Sequence, residues 1–128
     1  MARTAPRTAA VIGYVRVSTD EQSLGPEAQR AAIERWAAAR GLAVLVVHED
    51  RGVSGAAALD ARPGLLAALG DLARSRAAYL VAAKRDRLAR DVIIAAQLER
   101  LAARSGAQVA TADGAGEGSS AEAALMRR

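Results

Sequence analysis

Four short apolar runs, separated by one-sided helical stripes and each ending in charged or glycine-containing residues, set the terms on which this chain of 128 residues can fold. The first begins at Val11 and stops at Tyr14-Val15-Arg16-Val17, where Ser18-Thr19-Asp20-Glu21-Gln22 and then Gly25-Pro26 take over. Valine, isoleucine and tyrosine favour a strand, and the polar residues before a proline favour a loop opening into a helix. That helix is predicted from Pro26 to Arg40, with Gly41 as its stop and Ala32, Ile33, Trp36 and Ala37 on its core face. Residues 42–47 form the second run, continuous enough to fit a strand buried on both faces. Pro63 opens a second helix carrying Leu65, Leu66, Leu69 and Leu72, which ends around Arg74-Ser75-Arg76. A third strand at 79–83 precedes a helix with Ile94, Leu98 and Leu101 on one side and Gly106 as its stop, and a short fourth strand follows at 107–111.

Strands that alternate with helices are joined by crossovers, so their neighbours run parallel. The fold class is therefore α/β: three layers, with a mostly parallel central sheet of about four strands flanked by helices. Parallel strands aim their carboxyl ends at one edge, where open α/β sheets bind ligands. Four separate loops then converge there. They bring Arg16 and Ser18 after the first strand, Glu49 and Asp50 after the second, Asp86, Arg87 and Arg90 after the third, and Asp113 after the fourth.

A hydroxyl two residues beyond an arginine suggests an alkoxide nucleophile whose phosphate target is held by a guanidinium. The plainer alternative is that Ser18 or Thr19 caps a turn and Arg16 is a solvated charge at a strand end. The convergence of the four loops favours chemistry over capping. Glu49 and Asp50 are also candidates for simple ion pairs with Arg51 or Arg85, Asp91 for a helix N-terminal residue, and Tyr14 for a sheet residue beside the site. Lys84 and Arg85 read either as phosphate contacts or as surface charge. The loop at 51–62, with Gly52 and Gly55, reads as mobile.

Composition narrows the classes. All but one of the 18 basic residues are arginines, the bidentate phosphate binder, although a GC-rich genome would also enrich arginine. Cysteine is absent and His48 is the single histidine, so neither a disulfide framework nor a thiolate or histidine metal site is expected, and a cytoplasmic location is. Only 2% of the residues are aromatic, which argues against reading bases by stacking. No apolar run reaches the length of a membrane span, and the glycines at 114–118 do not follow a nucleotide-binding fingerprint. Residues 1–10, with Pro6, read as a flexible leader or a basic arm against DNA.

Taken together, Tyr14-Val15-Arg16-Val17-Ser18-Thr19 with Gln22, Glu49-Asp50-Arg51-Gly52-Val53-Ser54-Gly55 with Arg62-Pro63, and Asp86-Arg87-Leu88-Ala89-Arg90-Asp91 resemble the catalytic domain of the serine recombinases, the resolvase and invertase family. The resemblance implies site-specific cleavage and rejoining of DNA, in which Ser18 attacks the scissile phosphodiester to leave a 5′-phosphoserine link and a free 3′-hydroxyl. It implies that Arg16, Arg87 and Arg90 grip the phosphate oxygens, that Arg62 is a further active-site arginine, that Asp86 orients an arginine or helps move a proton, and that Gln22 holds the substrate or the serine loop. No metal, nucleotide or other cofactor is implied. DNA is the implied partner, with dimers and tetramers expected of a full-length protein. On this reading residues 11–118 are the catalytic domain and 119–128 begin a long dimerisation helix cut off at Arg128, with no DNA-binding domain, so that the chain alone is expected to be inactive. The alternative is a non-catalytic remnant that binds DNA or pairs with full-length subunits. The crossover site, and the choice among resolution, inversion, integration and transposition, are not written in these residues.

Overall fold

The computed structural model describes residues 8–17 and 25–114. Strand β1 (Thr8–Val17) leads to helix α1 (Pro26–Ala39), strand β2 (Ala43–Arg51), helix α2 (Pro63–Ser75) and strand β3 (Ala77–Ala82). A four-residue helix α3 (Arg85–Leu88), helix α4 (Val92–Arg104) and strand β4 (Gln108–Thr111) complete the described chain, with a single 3-10 turn, Leu59–Ala61, before α2. The strands form one sheet in the order β2-β1-β3-β4, and every pairing is parallel. The expected α/β architecture is present.

The two faces of β1 divide the core. Val11 and Val15 pack with Ile33, Trp36 and Ala37 of α1 on one side. Ala10, Ile12 and Tyr14 pack with Leu65, Ala68 and Leu72 of α2 and Leu98 and Ala102 of α4 on the other. This follows from connection direction. The chain leaves β1 for β2 in one direction, then passes from β2 to β3 and on to β4 in the other, and right-handed crossovers made in opposite directions fall on opposite faces. The reversal lies between β1 and β3, so the crevice beyond their carboxyl ends is the topological switch point of the sheet.

Several expectations need correction. β1 begins at Thr8, inside the stretch read as a leader, because Thr8 pairs with Ala77 and Ala10 with Ala43. β2 is an edge strand and is not buried on both faces: Leu45 is 54% exposed. The register shifts between Val11 and Ile12, whose partners are Val44 and Val46, so Leu45 bulges out of the ladder. Such a bulge twists an edge strand and discourages pairing with another sheet. The charge cluster after β3 contains a helical turn, α3, that its composition concealed; Leu88 turns into the core and anchors it. The remaining leader residues 1–7, the glycine run from 115 onward and the expected final helix lie outside the described residues.

Candidate active site

β1 delivers Arg16 to the crevice, and there its side chain is fully buried. Its guanidinium spans two loops: Nη1 donates to the carbonyl of Val53 at 2.7 Å and Nη2 to the carbonyl of Asp86 at 2.8 Å. The loop at 51–62 is therefore strapped to the segment that follows β3. Gly55 completes the strap, since its carbonyl accepts from the Arg90 amide at 3.2 Å. A Cβ at Gly55 would lie 2.9 Å from the Asp86 carbonyl oxygen and 3.1 Å from Arg16 Nη2, so only glycine lets these backbones approach.

A second buried arginine works beside the first. Arg62, immediately before α2, donates from Nη2 to the carbonyl of Arg87 at 3.0 Å and, through Nε and Nη2, to the Tyr14 hydroxyl at 3.4 and 3.3 Å. Tyr14 in turn donates to Asp50 Oδ2 at 2.8 Å. Asp50 accepts from the Gly64 amide at 2.7 Å and the Leu65 amide at 3.1 Å, so a carboxylate from β2 caps the N-terminus of α2. Burial pushes the Tyr14 phenol up, against the opposing pull of Arg62, which keeps it a hydrogen-bond donor at neutral pH. Arg62 Nη1 is buried with no hydrogen-bond partner among the described residues.

Arg16 and Arg62 thus hold consecutive carbonyls, those of Asp86 and Arg87. Arg87 is itself buried, with Nε 3.8 Å from a carboxylate oxygen of Asp86, whose side chain is half exposed. Arg90 is exposed. Of the residues singled out from the sequence, Arg16, Arg62, Asp86, Arg87 and Arg90 therefore meet around one crevice. Ser18 and Gln22 lie outside the described residues.

The secondary candidates separate clearly. Glu49 is an ion-pair residue, to Arg51 and, at 3.5 Å, to Arg30. Asp50 departs from that expectation because Tyr14 and two helix amides surround it, and burial there suits a cap better than a surface pair. Asp91 caps α4, accepting from the Ile93 amide at 2.7 Å. Gln29, in the first turn of α1, escaped the sequence reading, yet it is fully buried and its amide meets both the N–H and the C=O of Arg16. Its signal was faint: one polar residue ahead of an apolar face. Among the described residues no cluster of histidine, aspartate or glutamate could hold a metal, and no helix is long and apolar enough to cross a membrane.

The switch point of this parallel sheet thus gathers arginines from three loops. The family model for the resolvase N-terminal domain matches residues 11–128, and the chain belongs to that family, the catalytic domains of the serine recombinases. Solved structures agree. The chain is similar to the N-terminal catalytic domain of TP901-1 integrase, at 25% identity and a TM-score of 0.72 over 81% of this chain and 77% of that one. It is 32% identical to the C-terminal catalytic domain of IS1535 TnpA, an IS607-like serine recombinase, with a TM-score of 0.60 over 79% and 69%. A serine recombinase from Sulfolobus solfataricus matches at 26% identity and a TM-score of 0.60, over 84% and 69%. No curated protein matches.

Proposed function

We propose that this domain cleaves and rejoins DNA through a covalent bond to Ser18. The Ser18 hydroxyl oxygen attacks the scissile phosphorus, a new O–P bond forms as the P–O3′ bond breaks, and the serine proton ends on the departing 3′-oxygen. Attack by that 3′-hydroxyl, or by an exchanged one, reverses the step and releases the serine. Phosphoryl transfer is mostly positioning and charge stabilisation, so arginines are the groups it requires.

The supporting observation is the pair of buried arginines that tie the end of β1 and the start of α2 to the Asp86 and Arg87 carbonyls. In this reading Arg16 and Arg62 act first on the protein, fixing the segment that carries Arg87 and Arg90. Arg90, the exposed member, meets the phosphate first. Arg87 stabilises the developing charge, Asp86 steadies Arg87, and Gln22 holds the serine loop. DNA is the partner, two or more copies assemble on the crossover site, and the protein works in the cytoplasm.

The test is covalent trapping. The full chain, fused beyond Arg128 through a helical linker to a DNA-binding module of known target, is incubated with duplexes nicked near that target and resolved under denaturing conditions. Wild type should form a protein–DNA adduct, and Ser18→Ala should form none while binding the same DNA equally well. An adduct that survives Ser18→Ala, or no adduct with wild type, overturns the proposal.

A further inference from the structure

The last peptide groups before Ser18 lack a strand on one side. Pairing of β1 with β3 ends at Tyr14 opposite Ala82, because the chain leaves β3 to build α3. Pairing with β2 continues to Val17 opposite Arg51, and the Gly52 amide donates to the Val17 carbonyl at 2.7 Å. In a parallel strand consecutive residues turn their N–H and C=O groups toward opposite neighbours. Since those of Val17 face β2, those of Arg16 face the place where β3 has stopped.

Gln29 fills that place. Its Oε1 accepts from the Arg16 amide at 3.3 Å and its Nε2 donates to the Arg16 carbonyl at 3.0 Å. A carboxamide offers a donor and an acceptor side by side, as a strand's backbone does. The fully buried side chain therefore substitutes for the missing continuation of β3. α1 is set for this from its first residue: Pro26 occupies its first turn and the Gln29 amide closes that turn on the Gly25 carbonyl at 3.0 Å.

We propose that Gln29 is a positioning residue for the recombination reaction, holding the end of β1 in strand geometry so that Ser18 is delivered to the phosphate in line. The proposal rests on the reading of Ser18 as nucleophile. Gln29 touches no reacting atom; it acts through the Arg16 backbone. Its amide also lets β1 outrun β3, which opens the crevice without leaving buried backbone groups unpaired.

Single-turnover adduct formation by the fused full chain tests this at a series of DNA concentrations. Gln29→Met keeps the side chain's length and removes both hydrogen bonds. It should slow adduct formation at saturating DNA by about 10- to 100-fold, the order expected when a nucleophile is misplaced by a fraction of an ångström to an ångström, and leave the half-saturating DNA concentration unchanged. Ile33→Val, which weakens the same helix without touching the amide, should lower the melting temperature and keep the rate within about twofold of wild type. Gln29→Glu supplies an independent arm. Its carboxylate can accept from the Arg16 amide but cannot donate to the Arg16 carbonyl, whereas the protonated acid does both. Its rate should therefore fall below wild type while the carboxylate is ionised. Amide hydrogen exchange reads the clamp without any reaction, and Arg16 should lose protection in Gln29→Met. A Gln29→Met rate within threefold of wild type, or unchanged exchange at Arg16, overturns the proposal while the wild-type adduct still supports Ser18 chemistry. Absence of the wild-type adduct removes the nucleophile reading instead, and the exchange measurement then stands as the test of the clamp alone.

Discussion

Glycine to alanine in a helix is ordinarily stabilising, by up to about 1 kcal/mol, because alanine has less backbone freedom to lose. In α2 the same substitution should have opposite signs at two positions. At Gly70 a Cβ would meet only the end of the Arg74 side chain, at 3.4 Å, and that flexible group can move aside. At Gly64 it would lie 2.8 Å from the Glu49 carbonyl oxygen and 2.8 Å from Asp50 Oδ1. One of those atoms is backbone of β2 and the other is the carboxylate that caps α2, so neither yields cheaply. Overpacking of this kind costs about 1–3 kcal/mol, and lengthening the charged hydrogen bonds to the Gly64 and Leu65 amides costs about 1.5–3 kcal/mol more if one is lost. Set against the helical gain, Gly64→Ala should lose about 2–3 kcal/mol while Gly70→Ala gains about 0.5–1 kcal/mol. Urea unfolding followed by circular dichroism measures both. With a dependence of about 1–3 kcal/mol per molar urea, the Gly64→Ala midpoint should fall by roughly 1 M or more and the Gly70→Ala midpoint should rise. If Gly64→Ala unfolds at or above the wild-type midpoint, the close approach of α2 to β2 and its role in the cap are wrong.

Three further outcomes are expected. Tyr14→Phe removes the hydroxyl shared by Asp50 and Arg62 and should cost about 1–3 kcal/mol in the same unfolding assay, with the apolar core on that face intact. Asp71 sits between His48, at 2.6 Å, and Arg74; the hydrogen bond from His48, and then that from Arg74, hold its carboxyl below the usual range. A depressed folded pKa contributes stability above the unfolded value of about 4, lost as the pH falls through the folded one. Asp71→Asn should therefore be less stable than wild type at pH 5 to 7 and converge with it below pH 4, measured by urea midpoints across that range. Arg16→Lys keeps the charge but gives up the fork that reaches both the Val53 and Asp86 carbonyls, and it should slow adduct formation by about 100-fold in the trapping assay, the scale of a misplaced catalytic group.

The architecture was legible because periodicity and punctuation agree. Pro26 and Pro63 open α1 and α2 where expected, and the runs ending near Arg16, Asp50, Ala82 and Thr111 are the four strands. Two things were hidden for physical reasons. Hydropathy alone does not distinguish a central strand from an edge strand, since the residues 42–47 are as apolar as those of β1; strand order decides, and order depends on crossover direction. Side-chain partners across the fold were also out of reach. The sequence gathers Arg16, Arg62, Asp86, Arg87 and Arg90 by placing them at strand ends. It carries no sign that Arg16 and Arg62 reach backbone carbonyls rather than open solvent, that Asp50 faces a helix amide rather than an arginine, or that a glutamine 13 residues beyond Arg16 closes on its peptide groups.

The central place of β1 has a consequence in time. It leaves the ribosome before the other three described strands, and it is buried on both faces and flanked on both edges. Its partner β2 follows closely, but β3, which covers the other edge, ends roughly 65 residues after Val17. At about 5–20 residues per second that interval is roughly 3–13 s, during which a strand destined for burial on both faces has one open side. Nascent-chain protection against aggregation should matter most in that window and end abruptly once Ala82 has emerged.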